Sequence, residues 1–457
     1  MTFVDNVIVG TGLSAMGCAH ILLKKRKKFI ILEASKFKKN SSNIKKIFFD
    51  KDSTPKVLNK KNHLDIINSK MYGGNSVIWG ANSLRLFKSQ FKSWPIKYDE
   101  LKKYYNFAEE ILNIDHFNDD ISKSFKFKNF NNEKKRLFNK SILEKTLTNK
   151  RGFSTTKIGL TRLALNNNYN TYSTKEWFDM NLSKKKLKIN FNSEVKSFNK
   201  MKNLIKINLK TGKKITCKNL FLCAGPISTA KIVLNSLDQN IDLVAKESSY
   251  FIAPCIFKFK NDNFNIFKNT SQLQMFDKET GIYSELKYDP DLLTKVLKKK
   301  FRFFSNLIPS KLIKKIYIIT GFLPDKFSEN KLIISKKLNS KKISLSWVKN
   351  FNFPKRFIKK KVINLIKSLS IRLDFIFFPW SIKYYSKGRS YHIGSSIPMC
   401  SKLNKMKVYT NKNGELNFNK NVLVCDSSNF TNIPSCSVGL TILANSMRIT
   451  NIKSNRL

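Results

Sequence analysis

The apolar residues of this 457-residue chain fall into short blocks whose period changes along the sequence. Near the start, Val7-Ile8-Val9 is a continuous apolar run ending at Gly10, which predicts a buried strand. A stretch rich in apolar and small residues, Leu13 to Leu23, predicts a helix. Phe29-Ile30-Ile31-Leu32 predicts a second strand, ended by Glu33. Leu187–Phe198 and Leu204–Leu209 alternate around a Lys-Asn turn, and Thr211-Gly212-Lys213 makes a second turn before Ile215; these are hairpin signals. Leu220 to Gly225 predicts a buried strand ending in small residues, followed by a helix from about Ile227 to Leu234. Phe117–Lys140, rich in Asn, Lys and Asp, reads as an exposed excursion. Between 241 and 387, strand-like and amphipathic runs alternate without a nucleotide motif, and that portion reads as substrate-facing. At the far end, Val422-Leu423-Val424 leads to Asp426, and Gly439 to Met447 predicts an apolar helix.

Composition bounds the answer. A hydrophobic fraction of 41% with 37 Phe is ample for a packed interior, and the length suggests two domains. The most apolar runs, such as Ile371–Ser381, fall well short of the roughly 20 residues that span a bilayer. The N-terminus enters a strand almost at once, so no secretory signal is expected. Seven cysteines are scattered and form no Cys-x-x-Cys pair, which argues against a metal site or a disulfide framework and suits a reducing cytoplasm. The formal charge of +55 invites a polyanion partner. Its lysines, however, spread along the whole chain among Asn, Ile and Phe, residues that share A/T-rich codons. A solvated lysine surface is therefore expected, without nucleic acid. Lys295–Ile319 and Pro354–Trp380 mix basic with apolar residues and suit contact with an acidic membrane face, or else helices packed on the core.

In Gly10-x-Gly12-x-x-Ala15 each small residue has its own task. Gly10 allows the tight turn, Gly12 lets a pyrophosphate approach the backbone, and Ala15 permits close helix–strand packing. The following helix start presents unsatisfied N–H groups and a positive dipole end to phosphate. Glu33 stands 23 residues after Gly10, the spacing expected of an acid that holds a ribose diol. An acid there disfavours a 2′-phosphate, leaving FAD or NAD. Gly73-Gly74-Asn75-Ser76 exposes backbone amides to a flat or anionic ligand, and Trp79-Gly80 offers an aromatic wall.

Together with Trp94-Pro95, Tyr98, Leu101, Tyr104-Tyr105 and Ala108-Glu109, this loop resembles the glucose–methanol–choline family of FAD oxidoreductases. The likeness covers about half the chain: 1–110, 185–235 and 388–457. Ala224-Gly225 with Ser228-Thr229 is similar to that family's internal signature, Val424-Cys425-Asp426 to its flavin-contacting aspartate, and Thr441 to Arg448 to its final helix. His392 to Met399 matches loosely, because Gly394 comes one residue early. The resemblance implies an α/β fold: a doubly wound FAD-binding domain from 1–110, 185–240 and 388–457, with a largely antiparallel-sheet substrate domain from 111–184 and 241–387. It adds Val195, Gly439 and Thr441 to the cofactor-contacting set. The family's second active-site position falls on Ser437, a poor base. The position of a flavin-linking histidine falls on Ile78, so non-covalent FAD is expected.

Oxidising an alcohol requires hydride loss from carbon and removal of the hydroxyl proton. Histidine suits the second task, since its ordinary pKa near 6.5 leaves it mostly neutral at pH 7. Of His20, His63, His116 and His392, only His392 sits in a small-residue loop beside the flavin-like blocks. The expected function is FAD-dependent oxidation of a CH–OH group in a sugar, polyol or other alcohol, with His392 as base and Ser437 orienting substrate. The alternative is a catalytically silent flavin-binding protein or a basic platform at a membrane surface. An acidic or lipid-linked substrate would suit the charge.

Overall fold

The computed structural model describes residues 2–36, 71–131, 133–134, 138, 142, 155–258, 271–288, 309–313, 315–328, 330–337, 343–349, 354–385, 391–400 and 406–455. His63 and residues 295–308 of the first basic–apolar stretch lie outside them. Strand β1 (Thr2–Val9) leads to helix α1 (Leu13–Lys24) and β2 (Phe29–Leu32). β1 pairs in parallel with β2, Val7 opposite Ile30, and with β7 (Lys214–Leu222), Val7 opposite Leu220. β4 (Ile189–Asn190) extends the parallel sheet beyond β2, and β19 (Asn419–Val424) beyond β7. The chain therefore brings strands from its beginning, middle and end into one sheet, ordered β18-β19-β7-β1-β2-β4, with β18 (Glu415–Leu416) antiparallel at the edge.

Each central strand is apolar on consecutive residues because both faces of this sheet are covered. Val7, Val9, Leu220, Leu222, Val422 and Val424 face one side, where they meet α5 (Pro226–Asn235) and a four-stranded antiparallel sheet. Ile8, Ile31, Phe221 and Leu423 face the other, against α1, α2 (Tyr98–Ile111) and the last helix, α7 (Gly439–Ser454). The first and last helices cross closely: a Cβ on Gly17 would collide with Ser446 Oγ and approach the Leu443 carbonyl to 2.9 Å. The two termini are thus joined by packing.

The expected hairpin is β5 (Val195–Met201) with β6 (Leu204–Leu209), and β6 continues antiparallel into β7. The preceding residues differ from the sequence expectation. Leu187–Phe198 is not one strand, because Asn192 adopts φ 52 and breaks the run, sending Ile189-Asn190 into the parallel sheet. Phe117–Lys140 also differs. Phe117, Asp119, Ile121 and Phe138 are buried, Asp119 caps α3 (Asp120–Phe125), and its carboxylate meets the buried Arg162 guanidinium at 2.7 Å. A charge that reads as solvated in sequence is spent inside an ion pair.

The second large sheet has seven antiparallel strands, ordered β15 (Phe375–Phe377), β9, β12, β11, β10 and β3 (Thr156–Leu160), with β16 (Lys383–Tyr385) also on β9. Its principal members are β9 (Ser249–Phe257), β10 (Ser271–Asp277), β11 (Tyr283–Lys287) and β12 (Ile316–Leu323). One face is apolar: Phe251, Ala253, Cys255, Leu273, Met275, Leu286, Tyr317 and Ile319 pack beneath α6 (Lys355–Leu373). The period of two puts polar residues on the opposite face, where Gln274, Glu285 and Thr320 stand side by side in register. Among the described residues, no helix is long and apolar enough to cross a membrane.

Candidate active site

The parallel sheet, the 71–82 loop, the start of α7 and the polar face of the antiparallel sheet enclose a cavity of about 950 Å³. That is the upper end of the range for small-molecule sites, about 300–1,000 Å³. Its floor is the turn after β1. Gly10 has φ 102, its N–H donates to the Leu32 carbonyl at 2.8 Å, and an added Cβ would stand 2.6 Å from the Cys223 carbonyl oxygen. Only glycine satisfies both constraints. Gly12 is different. Its backbone is ordinary (φ −78, ψ −171) and no atom lies within 4 Å of where a Cβ would be, because that direction opens into the cavity.

Thr11, the unremarked residue between those glycines, ties the site together. Its hydroxyl donates to Glu33 Oε2 at 2.6 Å and accepts from the Gly73 N–H at 2.9 Å. The Thr174 hydroxyl lies 2.8 Å from the carbonyls of both Thr11 and Gly73, and the Ser76 hydroxyl donates to Gly73 O at 2.7 Å. Glu33 is buried at the wall, and the Ser35 N–H donates to its other oxygen at 2.8 Å. Burial raises its pKa, opposed by the Thr11 and Ser35 hydrogen bonds.

Gly74, Asn75, Ser76, Trp79, Gly80, Val195, Ala224, Asp426, Ser437 and Gly439 also reach the cavity wall. Ala15, Gly73 and Thr441 sit behind it: Ala15 packs in the core, and the Thr441 hydroxyl pairs with Tyr105 Oη at 2.9 Å. Asp426 joins β19 to α5. One carboxylate oxygen accepts from the Gly225 N–H and the Thr229 hydroxyl, the other from the N–H and hydroxyl of Ser428. Burial raises its pKa against those four donors. Trp79 is fixed by its indole N–H, which donates to the Tyr172 carbonyl at 2.7 Å, and its ring lies 2.7 Å from where a Gly439 Cβ would be. We expect Gly439→Ala to lower stability by about 1–3 kcal/mol, because the methyl group displaces a ring held by its indole hydrogen bond. Urea unfolding of the two proteins measures this.

His392 lies on the cavity wall, between two sharp bends: Tyr391 and Ser395 both have φ 59. Gly394 between them packs directly against the Ser427 carbonyl, which leaves no room for a side chain and gives its position a local reason. The imidazole stacks on Phe322, with centroids 4.6 Å apart and 24° between planes. Burial pushes its pKa down to about 4; Lys287 pushes in the same direction and Glu285 opposes. The ring is therefore neutral at pH 7. Ser437 donates its hydroxyl to the Asn82 carbonyl at 2.6 Å, so its oxygen is free only to accept.

Glu285, Lys287, Phe322 and Asn82 are wall residues that sequence reasoning missed. The first three lie on β11 and β12, in the motif-poor region, where only the alternation of polar and apolar residues signals them. Lys287 Nζ stands 3.1 Å from Glu285 Oε2. Among the described residues, nothing hydrogen-bonds Asn82 Oδ1 or either amide atom of Gln274, although both side chains are buried. Buried polar groups without partners cost about 1–3 kcal/mol each, and Asn82, on the cavity wall, marks a place where a ligand or water completes the site. The other histidines have different surroundings. His20 lies in α1, and His116 stacks on Phe127 and meets Glu109 at 3.2 Å. The cysteines are scattered only in sequence: the thiols of Cys18, Cys223 and Cys425 converge within 4.8 Å in the core.

An elongated dinucleotide fits these features: an open glycine face at a helix start, a buried acid on the second strand, and an unpaired acceptor at Asn82. A solved structure of pyridoxine 4-oxidase from Mesorbium loti shares the fold over 99% of each chain, with a TM-score of 0.64 and 11% sequence identity. No protein-family model and no curated protein matches the sequence.

Proposed function

We propose that this chain is an FAD-dependent oxidoreductase that oxidises a CH–OH group, with His392 taking the hydroxyl proton. The observation that carries the proposal is the position of His392: a neutral imidazole on the wall of the same cavity as the Gly10–Gly12 turn, Glu33 and the start of α7. The turn and the N-terminus of α1 hold the phosphates, Glu33 the ribose diol, and the 73–80 loop with the α7 start the isoalloxazine. Bound there, FAD supplies a two-electron acceptor for the hydride that leaves the alcohol carbon.

The protein's own groups do the rest. Stacking on Phe322 fixes the plane of the His392 ring, and an imidazole nitrogen accepts the proton. Burial keeps the ring neutral beforehand, with a smaller push from Lys287, and Glu285 stabilises the imidazolium so formed. The first N–H groups of α7 have no partners within the helix and present positive potential to charge gathering nearby. Ser437 orients a hydroxyl by accepting from it. Glu285 and Lys287 on the cavity wall, with the Asn82 side chain, offer polar partners to a substrate with more than one hydroxyl, such as a sugar or polyol. The shared fold with a pyridoxine 4-oxidase supports the reaction class.

Anaerobic mixing with a panel of primary and secondary alcohols tests this: at least one should bleach the flavin, and bleaching by none would favour a silent binding platform. The pH profile gives a sharper check. With a proton acceptor of pKa about 4, the rate of flavin reduction rises through that pH and is level from pH 6 to 8. Glu285 raises the His392 pKa, so Glu285→Gln should move the rise to lower pH; Lys287→Met removes a lowering charge and should move it higher. A rate that falls above pH 6 would contradict the role.

A further inference from the structure

We infer that the turn at 376–380, with the adjoining end of α6, is a docking surface for an anionic lipid bilayer. β15 (Phe375–Phe377) and β16 (Lys383–Tyr385) both pair with β9, Phe377 opposite Cys255 and Lys383 opposite Ile252. Residues 378–382 must therefore span only Ala253 and Pro254 of the partner strand. Five residues do not fit opposite two, and Pro254 has no N–H to hold a ladder there, so the chain loops outward from the sheet edge.

The tip of that loop is made of large apolar side chains. Trp380 is 81% exposed, Ile376 46% and Phe378 41%, and the Phe378 and Trp380 rings lean together with centroids 5.1 Å apart. Ile371, 63% exposed, belongs to the C-terminal turns of α6. It shares an exposed helix face with Lys360, Asn364 and Lys367, at steps of three or four residues. Single exposed apolar residues are ordinary; four in ten residues, including an almost fully exposed tryptophan, are not.

Charge selects the occupant. From 355 to 385 there are eight basic residues and one acidic, nearly twice the charge density of the whole chain. Lys355, Arg356, Lys359, Lys360, Lys367 and Lys383 are exposed. Aromatic side chains that enter the headgroup boundary, and lysines on the same segment that meet anionic lipid, are the two additive contributions of peripheral membrane binding. A protein partner with an apolar groove would not need the excess of lysine. The surface also lies close to the proposed chemistry in the fold: β16 pairs with Tyr250, whose ring packs on Phe322 at 5.2 Å, and Phe322 stacks on His392.

The test is co-sedimentation of the full-length, FAD-loaded protein with vesicles of phosphatidylcholine alone or with about 30% phosphatidylglycerol, at about 0.1 M salt. Binding to the anionic vesicles and little to the neutral ones is expected. The double variant Phe378→Ser/Trp380→Ser, with unchanged flavin content, should bind anionic vesicles at least about tenfold more weakly. Brominated lipid should quench tryptophan emission in the wild type and less in Trp380→Phe. No binding to anionic vesicles would overturn the inference. So would undiminished binding by the double variant, since dispersed lysines would then account for it, as would a soluble dimer that this double substitution dissociates. None of these outcomes bears on flavin reduction by alcohols, so the docking surface and the proposed reaction stand or fall separately.

Discussion

His392→Ala is expected to bind FAD as the wild type does and to reduce it about 10²–10⁴ times more slowly with an alcohol substrate, the range that one positioned proton acceptor contributes. The two parts of this expectation come from different features. Binding is spared because the Gly10–Gly12 turn, Glu33 and the 73–80 loop are held by the hydroxyls of Thr11, Thr174 and Ser76. The rate falls because the other candidate groups on the described wall are otherwise engaged. Ser437 has already committed its proton to the Asn82 carbonyl, and Glu285 is paired with Lys287. His392→Gln, which preserves size and hydrogen bonding without basicity, should be nearly as slow. Stopped-flow absorbance of the flavin measures both variants. A rate within a few-fold of wild type would remove His392 from the chemistry.

The second large effect separates holding the cofactor from folding the chain. Gly10 and Gly12 look alike in sequence, and the structure gives them opposite predictions. A side chain at Gly10 meets a φ of 102 and the Cys223 carbonyl at 2.6 Å, so Gly10→Ala strains the crossing of β1, β2 and β7 itself. The expected result is a protein destabilised by a few kcal/mol, about 1–2 of it from the backbone conformation alone. At Gly12 neither constraint exists. Gly12→Val should therefore fold with wild-type stability in the absence of cofactor, while its branched side chain fills the approach to the α1 N-terminus. We expect at least a hundredfold loss of FAD affinity, about 2.7 kcal/mol, read by calorimetric titration alongside urea unfolding of both apoproteins. Equal FAD affinity for Gly12→Val and wild type would mean that no phosphate lies against that backbone.

This contrast shows what was legible in the chain. The strand–turn–helix–strand unit at the start could be read because its apolar runs are continuous and its breaks are glycines. Local rules fix both, and the sheet adds only the second covered face. The hairpin of β5 and β6 was equally plain. The split of Leu187–Phe198 was not, because it depends on Asn192 taking φ 52, a conformation that sequence period does not report. Phe117–Lys140 was misleading because charge was equated with exposure, whereas Asp119 is neutralised by an arginine 43 residues away. The same distinction governs the site. His392 stands out by its small-residue setting, yet the burial that lowers its pKa, and the opposing charges of Glu285 and Lys287, come from strand register across a sheet with no motif. Thr11 escaped notice as the variable residue of a glycine pattern, although it links three segments of the cavity. The Cys18, Cys223 and Cys425 cluster is a further product of the fold that spacing rules do not see.

The central claim is that distant parts of the chain form one cavity that binds a flavin. Titration of the cofactor-free protein with FAD, followed through quenching of the flavin's fluorescence, tests it most directly. Saturable binding of one FAD per chain is expected, released intact on unfolding because Ile78 provides no covalent attachment. A fully folded wild-type protein that leaves FAD fluorescence unchanged at every concentration would contradict it.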